Sequence, residues 1–124
     1  MRFLLTLIAG LQFAVSNGQS LIKRAEALRT QIGQLHEDSA KVNCLIQLAR
    51  AELYIGLKDS AILHSSQSAV LSSSLNYLPG LLQSKLILIH AEIDKKQYSV
   101  ADSEWRKTFL LIEKVTSGKD RNQP

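Results

Sequence analysis

Residues 48–62, LARAELYIGLKDSAI, and residues 88–101, LIHAEIDKKQYSVA, write one pattern twice at a separation of 40 positions. Laid over one another, Leu48 falls on Leu88, Ala51 and Glu52 on Ala91 and Glu92, Leu53 on Ile93, and Ala61 on Ala101; farther along, Leu71 falls on Leu111. A fixed internal period of about 20 to 50 residues marks stacked units that bury their apolar faces on one another. Apolar residues within each copy recur at spacings of three and four with almost no alternation, so each unit is helical. The fold expected is all-α: antiparallel helical hairpins stacked as a short α-solenoid, in one domain.

Working outward from the repeat, five helices are expected. The first covers about 21–35, with Leu21, Ala25, Leu28, Ile32 and Leu35 on one stripe. The second covers about 39–55, capped by Asp38 or Ser39 and stopped by Gly56, a residue free to take the left-handed conformation of a helix end. Asp59 or a neighbour should cap the third, about 60–75, whose end falls at Asn76. The fourth, about 79–96, can carry Pro79 in its first turn, where no amide hydrogen is required. It is apolar enough through Leu81, Leu82, Leu86, Leu88, Ile89 and Ile93 to be covered on two sides. The fifth, about 99–115, precedes a polar tail, 118–124, that should fray.

The chain quoted at the outset resembles the centre of a tetratricopeptide repeat (TPR), in which a helix ends in a glycine-containing turn and alanine opens the next helix. Those roles fall on Leu48, Ala49, Gly56 and Ala61 in one copy. In the other they fall on Leu88, Tyr98 and Ala101, with Trp105 as the aromatic expected to pack back between the paired helices. Ile89 and Lys96 stand where the pattern has a small residue and a glycine, and the spacing of 40 exceeds the family's usual 34 or so. The stretches KVNCLIQLARAELYIG (41–56) and DSAILHSSQSAVLSSSLNY (59–77) are similar to the lengthened TPR repeats of exported sensor regions in bacterial signalling proteins, especially of the Bacteroidetes.

That resemblance implies a groove lined by the first helix of each pair: Asn43, Gln47, Arg50 and Tyr54 from one copy, and Gln83, Ile87, His90 and Asp94 from the next. Amide, charged and apolar side chains mixed in this way suit an extended peptide or a partner helix. The function expected is a protein-binding or peptide-binding scaffold; the alternative is the shortened sensory domain of a signal-transduction protein.

The other chemistries receive little support. Fifteen Lys and Arg against eleven Asp and Glu give a net charge of +4, but the basic residues are scattered and not interleaved with stacking aromatics, so nucleic acid is not an expected partner. His36, His64 and His90 share no metal-binding spacing, and no nucleophile elbow or phosphate loop occurs. No catalytic, cofactor-binding or metal-ligating residue is therefore expected. Glu52 and Glu92 share one repeat position, which favours a structural or groove-lining role over acid–base work. The serines from Ser65 to Ser74 read as small side chains at a tight helix contact. Cys44, the single cysteine, reads as a small buried hydrophobe.

At the start of the sequence, Arg2 precedes an uncharged apolar run, residues 3–15, and then Ser16, Asn17 and Gly18. This is the form of a secretory signal peptide, 1–18, cleaved after Ser16 or Gly18, and it implies an exported, periplasmic or extracellular product. The run is shorter than the roughly 20 apolar residues of a membrane-spanning helix. The helical domain would then occupy 19–117. Two repeats are fewer than the three or so that stacked units usually need, so either the side around Trp105 and Phe109 self-associates, as a homodimer through the C-terminal helix, or the chain is a shortened relative of a larger sensor that has downstream membrane and kinase parts.

Overall fold

A computed structural model describes residues 19–121. They form five helices: α1 over 19–32, α2 Ser39–Ile55, α3 Lys58–Ser74, α4 Leu78–Asp94 and α5 Tyr98–Arg121, with no strand among the described residues. The fold is all-α, as the apolar spacing predicts. The expected signal peptide and residues 122–124 of the tail lie outside the described residues.

Three of the helix ends are built alike. Gly56, Asn76 and Lys96 each follow a helix in the left-handed region, at φ 96°, 54° and 61°. In each case the next residue's amide reaches back to the carbonyl five positions earlier: Leu57 to Glu52, Tyr77 to Ser72 and Gln97 to Glu92, all at 2.8 Å. The left-handed residue's own amide donates three positions back, to Leu53, Ser73 and Ile93. Such a terminus satisfies carbonyls that a helix end would otherwise orphan, and it turns the chain sharply enough for the next helix to run back. Lys96 performs the role of Gly56 forty residues later, despite its Cβ.

Successive helices therefore pack as hairpins: α2 on α3, α3 on α4 and α4 on α5, with α2 also lying against α4. Ala61 and Ala101 take equivalent places, both buried near the start of the second helix of a pair. Two clusters make the core. Ala25 and Leu28 of α1 meet Cys44, Leu48 and Ala51 of α2, with Ile32, Leu35 and Ile55 at the edge. On the other side of α2, Val42, Ile46 and Ala49 meet Ile87 of α4, flanked by Leu71 and Tyr77. Helix α2 is packed by α1, α3 and α4 on all but one stripe, Asn43, Gln47, Arg50 and Tyr54, which accounts for its many apolar residues.

Between α3 and α4 the contact is made by small side chains. Ser65, Ser68, Ser72 and Ser84 are fully buried, and the hydroxyls of Ser68 and Ser84 share a hydrogen bond of 2.5 Å. Each of those two also donates to a carbonyl of its own helix, Ser68 to Ser65 at 2.9 Å or Ser84 to Gly80 at 2.6 Å, when not donating across. Gly80 closes the approach: a Cβ there would come within 2.7 Å of Ser72 Oγ and of Val42 Cγ1, and 2.6 Å of Tyr77 Cδ1.

Several boundaries differ from the sequence reading. Helix α1 stops at 32, and Leu35 packs from the turn that follows. Asp38 is the cap of α2, accepting from the amides of Ala40 at 3.0 Å and Lys41 at 3.2 Å. Asp59 caps nothing: α3 begins at Lys58 after Leu57, which offers no side-chain cap. The left-handed terminus at Gly56 already starts the new helix within two residues, leaving Asp59 inside the first turn. Helix α5 continues past Val115 to Arg121. Trp105, expected to pack back between the paired helices, is left 47% exposed.

Candidate functional site

Residues three, four and seven apart share one face of a helix. On α2 that brings Arg50, Leu53 and Tyr54 to the side facing α4, and on α4 it brings Gln83, Leu86, Ile87, His90 and Asp94 to the side facing α2. Together these eight line one open cavity of about 490 Å³. Six were expected from the tetratricopeptide resemblance: Arg50, Tyr54, Gln83, Ile87, His90 and Asp94.

Inside the cavity, Arg50 donates to Gln83 Oε1 at 3.1 Å, tying the two walls together, and His90 Nε2 lies 3.8 Å from Asp94 Oδ2. Tyr54 is 83% exposed, an aromatic held open to solvent. Ile87 differs from its expected role as an exposed contact: it is buried on Val42, Ile46 and Ala49, and forms the floor. Beyond one end, Lys58 of α3 donates to the Asp94 carbonyl at 3.1 Å.

Asn43 and Gln47 lie on the same face of α2, nearer its N-terminus, and outside the cavity. Asn43 accepts from the Tyr77 hydroxyl at 3.2 Å, and Gln47 from Arg24 at 3.3 Å. Leu53 and Leu86 are lining residues that the sequence reading missed. Each is the chain neighbour of an expected residue, Leu53 beside Tyr54 and Leu86 beside Ile87.

A larger cavity, about 680 Å³, lies between the turn after α1 and helix α3, with Leu63 and Val70 open on its rim. Its lining combines Glu37 and Lys41, already paired with each other, with Ser and Gln side chains and aliphatics. No aromatic or imidazole converges there, so it offers a ligand fewer directional contacts than the α2–α4 groove.

The shared position of Glu52 and Glu92 resolves differently from a groove-lining role, because both carboxylates are buried behind the groove. Glu52 is held by two partners: His64 Nδ1 of α3 donates to Oε1 at 2.5 Å, and Arg29 of α1 donates to Oε2 at 3.3 Å. Forty residues on, the same places hold Glu104 for His64 and Ala69 for Arg29. Glu92 thus loses both donors and gains a carboxylate neighbour, and its Oε2 has no hydrogen-bond partner. Burial, then repulsion from Glu104, raise its pKa, against a smaller lowering by Lys85, which is itself paired with Glu104 at 3.1 Å.

Cys44 is buried, its thiol 3.8 Å from the Leu28 carbonyl, and burial pushes its pKa up. A protonated thiol in that place is a packing group and a poor nucleophile. Among the described residues, no three His, Cys, Asp or Glu side chains converge in a way that could hold a metal ion. Nor is any described helix long and apolar enough to cross a membrane.

Comparison of the chain with models of protein families, with curated proteins and with solved structures gives no match in any of the three.

Proposed function

We propose that this chain is a non-enzymatic, TPR-like binding scaffold that takes an extended peptide or a partner helix in the groove between α2 and α4. The observation that carries the reading is the meeting of Arg50, Tyr54, Gln83, Ile87, His90 and Asp94 around one cavity, at positions where the tetratricopeptide resemblance implies a groove. An apolar floor with an open aromatic, a guanidinium, an amide, an imidazole and a carboxylate above it gives a ligand a buried anchor and several directional partners. A few such anchors in a preformed groove carry most of the affinity in peptide recognition. Export belongs to the same reading, supported by the apolar run 3–15 and the small residues after it.

The test is a randomised peptide display library panned against the full chain, followed by titration of the enriched peptides into wild type and an Arg50→Ala, Tyr54→Ala, His90→Ala triple variant. All three side chains are exposed, so the variant keeps its helical circular dichroism. The reading expects at least roughly tenfold weaker binding by the variant, corresponding to the loss of one or two groove anchors. No enrichment, or equal binding by both proteins, overturns it.

A further inference from the structure

The two ends of the stack have opposite character. At one end, α1 exposes Lys23, Arg24, Glu26, Thr30 and Gln31, with Ile22 its single half-open large apolar side chain. A polar outer face of this kind closes a stack against further units. At the other end, Leu86 and Ile93 of α4 and Trp105, Phe109 and Ile112 of α5 are between 40% and 50% exposed. On α5 they follow the spacing i, i+4, i+7, a single apolar stripe lying beside the face that packs on α4.

The internal repeat shows what that stripe replaces. In the first hairpin, Ile46 packs on Ile87, Ser68 bonds Ser84, and Ser72 abuts Gly80; this is the surface that receives the second hairpin. Forty residues on, Thr108 in the place of Ser68 is already buried, so the open surface is made by Leu86 and Ile112, while Trp105 and Phe109 stand where Ser65 and Ala69 are buried. Small side chains let a helix approach closely. Large aromatics in their place hold a new helix off, and suit an interface in which bulky side chains interdigitate, as protein–protein interfaces do at their centres.

We infer that this face pairs two copies of the chain, with α5 antiparallel to α5 about a two-fold axis near Phe109. Charge favours that geometry. Arg106, which within its own helix also pairs with Asp102 at 3.1 Å across exposed side chains, and Glu113 border the stripe on its outer side, and lie at equal distances along the helix from the bond between Phe109 and Leu110. A two-fold axis there sets Arg106 of each copy opposite Glu113 of the other, while Trp105, Phe109 and Ile112 meet along the seam. Because the stack has one apolar end and one polar end, the pairing is isologous and closes at two.

Sedimentation velocity and tryptophan emission, both followed across about 1 to 100 μM full-length chain, test the inference, since association shifts with concentration by mass action. The expected species at the upper end has twice the 13.8 kDa chain mass. The chain's one tryptophan is Trp105, so its emission should move to shorter wavelength as the dimer forms and covers it. Phe109→Glu, at an exposed position, should weaken association by about 30-fold or more with helical content unchanged. Arg106→Glu should weaken it, and adding Glu113→Arg should restore it. A chain that stays monomeric throughout, assemblies larger than two, association that survives Phe109→Glu, or failure of the charge exchange to restore pairing overturns the inference.

Discussion

Changing Glu52 and Glu92 to glutamine, one at a time, makes the same substitution at the same repeat position and should move stability in opposite directions. At Glu52 the carboxylate holds an imidazole at 2.5 Å and a guanidinium at 3.3 Å. Glutamine can accept from one of them, and leaves the other donor facing an amide group. Hydrogen bonds to charged groups contribute about 1.5 to 3 kcal/mol, and Arg29 keeps part of its hydration, so Glu52→Gln should cost about 2 kcal/mol. At Glu92 a buried carboxylate oxygen has no partner, and Glu104 adds repulsion. Glutamine removes the charge and with it the repulsion from Glu104, so Glu92→Gln should gain about 1 kcal/mol at neutral pH.

The gain should depend on pH with a definite sign. A carboxyl whose folded pKa is raised binds more protons in the folded state, so its contribution to stability is present below the unfolded value near 4.5 and is lost as pH rises through the folded value. The advantage of Glu92→Gln over wild type should accordingly shrink as pH falls toward 4.5. Urea unfolding followed by circular dichroism at a series of pH values measures both variants directly. Equal signs for the two substitutions at neutral pH, or a Glu92→Gln effect that grows with acidity, would refute the account of which carboxylate is partnered.

Three further outcomes follow from particular places in the fold. Lys96 holds a left-handed conformation at φ 61°, so Lys96→Gly should raise stability by roughly 0.5 to 1 kcal/mol in the same denaturation assay, part of the relief being lost to greater unfolded-chain entropy. Gly80→Ala drives a methyl against Ser72, Val42 and Tyr77 and should cost about 1 to 3 kcal/mol, lowering the thermal midpoint. Cys44, buried with its thiol pKa raised, should react with iodoacetamide only at the rate at which the α1–α2 contact opens, and mild urea should accelerate labelling in step with loss of helix.

The candidate groove was legible only in part. Helical spacing puts positions 50 and 54, and 83, 87, 90 and 94, on one face of each helix, and the tetratricopeptide resemblance is what marked that face as a groove. Which of them meet around one cavity depends on how α2 crosses α4, and that crossing leaves Asn43 and Gln47 outside while bringing in Leu53 and Leu86. Asp59 was misread because a capping residue type was weighed without the left-handed terminus at Gly56, which had already fixed where α3 starts.

By itself the amino-acid sequence determined that this chain is helical, where its hairpins turn, and that the second hairpin repeats the first, because spacing, turn chemistry and period are properties of neighbours along the chain. The tertiary structure alone decided which polar groups have partners. Glu52 and Glu92 each follow an alanine and precede an aliphatic residue at the same repeat position, yet one faces His64 and Arg29 while the other lies near Glu104. It also decided that the Trp105, Phe109 and Ile112 stripe lies open, since burial depends on what is packed opposite, which no spacing along one helix can supply.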